Sequence, residues 1–176
     1  MSNKRSDIIN AALYLFSEKG YAATSTARIA QEAGVSEGLI FRHFKNKRGL
    51  LEELLRKSDE MYQSEIQQFI SVDDPTILVR SFIDYALRTL QYQESAKIWI
   101  TSLRLSQELG IDYESRYAVL LERLAWALGA IGHGKPVDVA RALISAQEGM
   151  LASGALGDMA IVESIASGMK EIVLNE

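Results

Sequence analysis

Between Ser25 and Arg48 the chain gathers Ser25, Thr26, Arg28, Ser36, Arg42, Lys45, Lys47 and Arg48, three hydroxyls and five cations in twenty-four residues. Groups of this kind donate to the oxygens of a polyanion, above all to phosphate. Their placement sharpens the point. At about 100° per residue, Ile40 and Phe44 define the buried stripe of a helix, and Gly38, Leu39 and Arg42 fall on its opposite side. Gly38 removes side-chain bulk at the helix start. Ser36 offers a hydroxyl beside free backbone N–H groups that favour phosphate. Leu39 could meet a thymine methyl, and Arg42 could fork onto a guanine or clamp a phosphate. Lys47 sits at a helix N-terminus, where a cation is mildly disfavoured unless a phosphate is near. Glu37 either balances the helix dipole or accepts from cytosine N4. A plain solvated basic face is the competing reading of all these cations.

The elements that must hold these groups are helices. Only two prolines occur, and apolar residues recur at spacings of three and four rather than in alternation. Ser6 or Asp7 can cap a first helix with the stripe Ile8, Ile9, Ala12, Leu13 and Phe16, and Gly20 ends it. Ser25 caps a short second helix through Ala33. Gly34 then turns the chain into the helix of Gly38 and Arg42, with Ile29, Ala30, Val35 and Ile40 at the crossing, as a helix-turn-helix requires. Asn46 can cap a fourth helix over about 47–70. Asp74-Pro75 starts a helix to about Leu90, another covers roughly 95–109, and Asp112 caps one running toward Gly129. The loop Gly132 to Pro136 precedes two last helices, about 137–153 and 158–174. The fold expected is all-α with about nine helices: a three-helix head over residues 1–46 and a helical bundle over 47–176.

Composition narrows the chemistry. The chain has 176 residues, 48% hydrophobic, with no cysteine and only His43 and His133, which excludes disulfides, thiolate metal sites and a cysteine nucleophile. No metal or cofactor is expected. Residues 1–50 hold eight Lys/Arg and four Asp/Glu, a net +4, against −8 for the remainder, so a polyanion would bind at the head. Lys4-Arg5 before the apolar run from Ile8 to Phe16 could suggest a signal peptide. Asn10, Glu18, Lys19 and the helical spacing argue against it, and a cytoplasmic chain without membrane spans is expected.

The run from Ile8 to Leu55, "IINAALYLFSEKGYAATSTARIAQEAGVSEGLIFRHFKNKRGLLEELL", resembles the N-terminal domain of TetR-type bacterial transcriptional regulators. The pattern comprises Ala11-Ala12, Leu15-Phe16, Gly20-Tyr21, Ile29-Ala30, Ala33-Gly34-Val35-Ser36, Gly38, His43-Phe44, Lys47 and Leu50. The resemblance implies a homodimer on a palindromic double-stranded DNA operator, with the third helix in the major groove and a small-molecule inducer of unknown class in the body. Inducer binding would shift the heads through the fourth helix and release DNA, which is the behaviour of a repressor. By position, Ser25, Ser36, His43 and Lys47 become phosphate contacts, and Gly38, Leu39 and Arg42 the base-facing set. Phe41 stands where the family usually has tyrosine, so a phenolic contact is missing. Arg42 replaces a frequent aromatic, and Arg48 a common glutamate.

In the body, Ala142, Ala146, Gly149, Ala152 and Ser153 allow close helix approach, and Ile161, Ile165, Ala166, Met169, Ile172 and Val173 form an apolar face. The last two helices are therefore the expected dimer interface. Phe82, Tyr85, Trp99, Tyr117 and Trp126, with Arg104 and Gln147 as orienting groups, are the candidates for a ligand pocket, although aromatics at helical spacing also serve as simple core. Two rivals remain open: a DNA-binding or architectural protein without an inducer, and, remotely, a hydrolytic enzyme. Against the enzyme, no nucleophile-elbow glycine pattern occurs.

Overall fold

The computed structural model describes residues 4–91, 100–106 and 114–175. Among them are ten helical segments and no strand: α1 (Lys4–Lys19), α2 (Thr26–Glu32), α3 (Glu37–Phe44), α4 (Lys47–Ile70), α5 (Pro75–Ile83), α6 (Tyr85–Leu90), α7 (100–106), α8 (Glu114–Ala130), α9 (Pro136–Ala155) and α10 (Met159–Leu174). The ends of the helix expected over 95–109, the Asp112 cap and Trp99 lie outside the described residues.

Local chemistry explains most boundaries. Ser25 Oγ accepts from Arg28 N at 3.2 Å, Asn46 Oδ1 from Gly49 N at 2.8 Å, Asp74 Oδ1 from Ile77 N at 2.9 Å and Asp158 Oδ1 from Ile161 N at 3.1 Å. Each satisfies an amide that its helix leaves unpaired. Gly34, at φ 60°, closes α2 as its residues predict: Gly34 N donates to Gln31 O and Val35 N to Ala30 O, the paired bonds of a glycine-terminated helix. At the other end of the chain, α1 already includes Lys4, so Ser6 and Asp7 lie in its first turn rather than before it.

The single helix expected over 75–90 is two, and the cause is tertiary. Asp84 separates α5 from α6, and the amide of buried Gln147 enters the gap. With that amide oriented by its partners, its oxygen accepts from Ala86 N at 2.6 Å and its nitrogen donates to Phe82 O at 3.3 Å. A side chain has taken the place of the helix's own bond between these two groups. Asp84 also pairs with Lys170 at 2.6 Å.

The described residues group into two compact units, one within Met1–Met61 and Thr101–Gly110, the other within Tyr62–Ile100 and Ile111–Glu176. The division falls inside α4, later than the expected boundary at residue 46, because Leu50, Leu51, Leu54 and Leu55 belong to the core of the first unit. That core joins α1 (Ile8, Ala12, Leu15, Phe16) to Ile29 of α2, Ile40 and Phe44 of α3 and Leu105 of α7. The second unit packs the end of α4 with α5, α6, α8, α9 and α10 around Leu78, Ile83, Leu124, Leu128, Met150 and Val162.

Candidate nucleic-acid interface and effector cleft

In the first unit α2 and α3 meet through Ile29, Ala30 and Ile40, all buried, with Val35 packed beside them. A second tie crosses the turn: Thr26 Oγ1 donates to Glu37 Oε1 at 2.6 Å. Glu37 is thus both an acid in the first turn of α3 and the acceptor that fixes the start of α2 against it.

On α3, Ile40 and Phe44 are buried, while Gly38, Phe41, Arg42 and His43 are exposed. A Cβ on Gly38 would meet none of the described residues, so none of them requires a glycine there. Leu39 is half-buried and packs on the core, a correction to its placement opposite Ile40: at roughly 100° from Ile40 it flanks the buried stripe. Ser36 precedes α3 without a side-chain cap bond, so its hydroxyl faces solvent.

The cations divide into two groups. The side chains of Arg28, Arg42 and Lys45 are exposed and have no hydrogen bond or ion pair among the described residues. Lys47 is engaged instead. Its Nζ donates to Tyr21 O and Thr24 O, both at 2.9 Å, and lies 4.3 Å from the centre of the Tyr21 ring. Two of its three protons therefore fasten the turn between α1 and α2, and one is left. Arg48 pairs with Glu52 at 3.0 Å on the surface. Lower on α4, Glu53 accepts from Arg5 at 2.6 Å and from Arg56 at 2.7 Å. The Arg56 hydrogen bond, aided by Arg5 and opposed by partial burial, holds the Glu53 carboxyl down at about 2.

Two features of this unit were missed by reading the sequence. Gly49 lies where a Cβ would come within 2.1 Å of Phe44 O, so only glycine lets α4 start this close to the end of α3. Buried Thr24 donates back to Gly20 O at 2.9 Å. Neither residue type carries such a role locally; both roles arise from the packing.

The second unit contains a cleft of about 400 Å³, its solvent-open part included. Of the expected ligand residues, Phe82, Tyr85, Tyr117 and Gln147 line it. Two do not. Trp126 is 45% exposed under the Arg123 guanidinium, 4.0 Å from its ring centre, and Arg104 is an exposed residue of α7 in the first unit. Helical spacing gives the face of a residue but not which faces meet. Tyr62, Glu65 and Phe69 of α4 line the cleft although the sequence gives that helix only a connecting role. Phe69 stands edge-on to Phe82 at 5.6 Å and to Tyr85 at 5.7 Å, and Tyr62 edge-on to Tyr117 at 5.5 Å. The Tyr85 hydroxyl donates to Glu65 Oε2. Burial, then that carboxylate, pushes the phenol well above its ordinary range.

The exposed residues of α9 and α10 mix small and apolar side chains with the charged Asp138, Arg141, Glu163 and Glu171. Ile161 and Ile172 of α10 and Leu156 between the two helices are exposed by 46%, 77% and 88%, and a Cβ on Gly149 or Gly168 would meet open space. Ala166 and Val173 turn inward instead and are buried.

Residues 8–54 match the model of the bacterial regulatory proteins of the tetR family. An uncharacterized HTH-type transcriptional regulator of Bacillus subtilis, YvkB, is 49% identical over 67 residues, 38% of this chain and 34% of its own length. The HTH-type transcriptional regulator HbdR of Aromatoleum sp. is 31% identical over 144 residues, 78% of this chain and 63% of its own. The chain thus spans about a third and just under two thirds of these relatives. Over nearly its whole length it shares the fold of a TetR-like transcriptional regulator from Rhodococcus sp. RHA1, with TM-score 0.81 at 19% identity, covering 97% of this chain and 93% of that one. Residues 8–54, the helix-turn-helix head, thus match the tetR family of bacterial regulatory proteins.

Proposed function

We propose that the chain is a transcriptional regulator that binds a palindromic operator as a homodimer, each head laying α3 in the major groove, and that a small effector in the cleft of the second unit releases it. The observation that carries the DNA-binding reading is the outer face of α3 with its surroundings. A bare Gly38 and an unpaired Arg42 stand beside the further unpaired cations Arg28 and Lys45. Here Gly38, Leu39 and Arg42 face the bases. Ser25, Arg28, Ser36, His43 and Arg48 face phosphates, Thr26 holds Glu37 beside them, and Lys47 reaches a phosphate with the proton its two carbonyls leave free. Phe41, 46% exposed, contributes apolar contact where the resemblance implies a tyrosine hydroxyl.

The effector reading is supported by α4, which carries Leu50 to Leu55 in one core and Tyr62, Glu65 and Phe69 in the cleft. A ligand that moves the latter side chains acts on the helix that holds the former. Selection of genomic fragments by the purified protein tests the first claim: a palindromic site is expected, with affinity falling steeply as salt rises. Recovery of no common site, or a flat salt response, would refute it.

A further inference from the structure

We infer that the cleft of the second unit selects a small alkylated ammonium cation; this rests on the effector reading above and assigns its ligand class. Among the described residues the walls carry five aromatic rings, Tyr62, Phe69, Phe82, Tyr85 and Tyr117, and two carboxylates, Glu65 and Glu148, and no Lys, Arg or His. An anion entering here would meet two like charges and no partner. A neutral apolar guest would strip water from both carboxylates and return nothing to them. A cation satisfies the carboxylates, and ring faces attract it through their quadrupoles.

The hydrogen-bonding groups limit the choice further. Gln147 spends its amide in the gap between α5 and α6, and Glu65 already accepts from Tyr85. An ammonium clothed in methyl or ethyl groups presents apolar surface to the rings, which a primary ammonium with three protons to satisfy does not.

Calorimetry on the full chain with three molecules of one shape tests this: choline, its uncharged isostere 3,3-dimethylbutan-1-ol, and the anion 3,3-dimethylbutanoate, with benzyltrimethylammonium as a larger cation. At least one cation is expected to bind about tenfold or more tighter than the alcohol, and the anion not at all. Glu65→Gln and Glu148→Gln should each weaken the cation severalfold and leave the alcohol unchanged. Phe69→Leu, which keeps an apolar wall, should do the same, with the circular dichroism of each variant checked against the parent. Equal binding of cation and alcohol, tighter binding of the anion, or silence from all four compounds would overturn the inference. The effector reading is judged separately by a thermal-shift screen of uncharged and anionic amphiphiles. A hit abolished by Leu151→Trp, which fills the cleft, keeps an effector of other chemistry, whereas no hit of any charge removes the effector as well.

Discussion

Gly38 and Arg42 lie on the face of α3 that packs against none of the described residues, and their substitutions separate recognition from folding. Gly38→Ala meets no internal atom and replaces a poor helix former, so the protein should gain about 0.5–1 kcal/mol in urea denaturation. Its operator affinity should nevertheless fall, because the added methyl stands where α3 approaches the groove. A variant that gained stability and kept full affinity would refute that role for Gly38. Arg42→Ala should leave stability unchanged and cost about 1–3 kcal/mol at one symmetric base position, read by competition among operator variants. A uniform loss on every sequence would make Arg42 a phosphate clamp instead. These exposed residues were legible from the sequence because helical geometry alone sets the side of α3 they occupy. Lys47 was legible only as a cation in the right region. Its two carbonyl partners come from a turn more than twenty residues earlier, which spacing cannot reveal.

At the scale of elements, the boundaries readable in advance are those set within one turn of chain: the caps at Ser25, Asn46, Asp74 and Asp158, and the glycine ends at Gly20 and Gly34. The break between α5 and α6 was not readable, because its cause, Gln147, sits on α9, about sixty residues on. Gly49 was hidden for the same reason. It lies in the first turn of a helix, where alanine is ordinarily better, yet a methyl there would collide with the backbone oxygen of Phe44. Gly49→Ala should therefore destabilise the protein by about 1–3 kcal/mol despite the gain in helix propensity, measured by urea denaturation. Stabilisation would show that α3 and α4 can separate freely. The pairing of α1 with α4 through Arg5, Glu53 and Arg56 makes a pH-dependent contribution. The Glu53 carboxyl ordinarily titrates near 4.5 and in the fold near 2, so the folded state takes up its proton less readily than the unfolded one. Its stabilisation is complete above the ordinary value and is lost as pH falls from about 5 toward 2. Glu53→Gln should be less stable near neutrality and show a shallower loss across that window; an unchanged slope would dismiss the pair as a contributor.

For the whole molecule, the exposed isoleucines of α10 and the basic head make one linked prediction. Ile172 and Ile161 gain nothing from the chain itself in their exposed positions, and burying both against a second copy removes their apolar surface from water. The open Gly149 and Gly168 let two backbones approach there. The double substitution Ile161→Glu with Ile172→Glu places four like charges across a two-fold interface and should yield a monomer by sedimentation, with its helical content intact. Operator binding then responds in a way that misfolding would not imitate. A dimer releases the counterions displaced by two heads, so the slope of log affinity against log salt reflects both sets of phosphate contacts; a monomer displaces one set and should show about half that slope. Affinity at low salt should drop while the intrinsic preference for the half-site survives. A variant that remained dimeric would place the interface elsewhere. One that became monomeric yet kept the full slope would mean that a single head makes all the phosphate contacts, and the palindromic reading of the operator would fail with it.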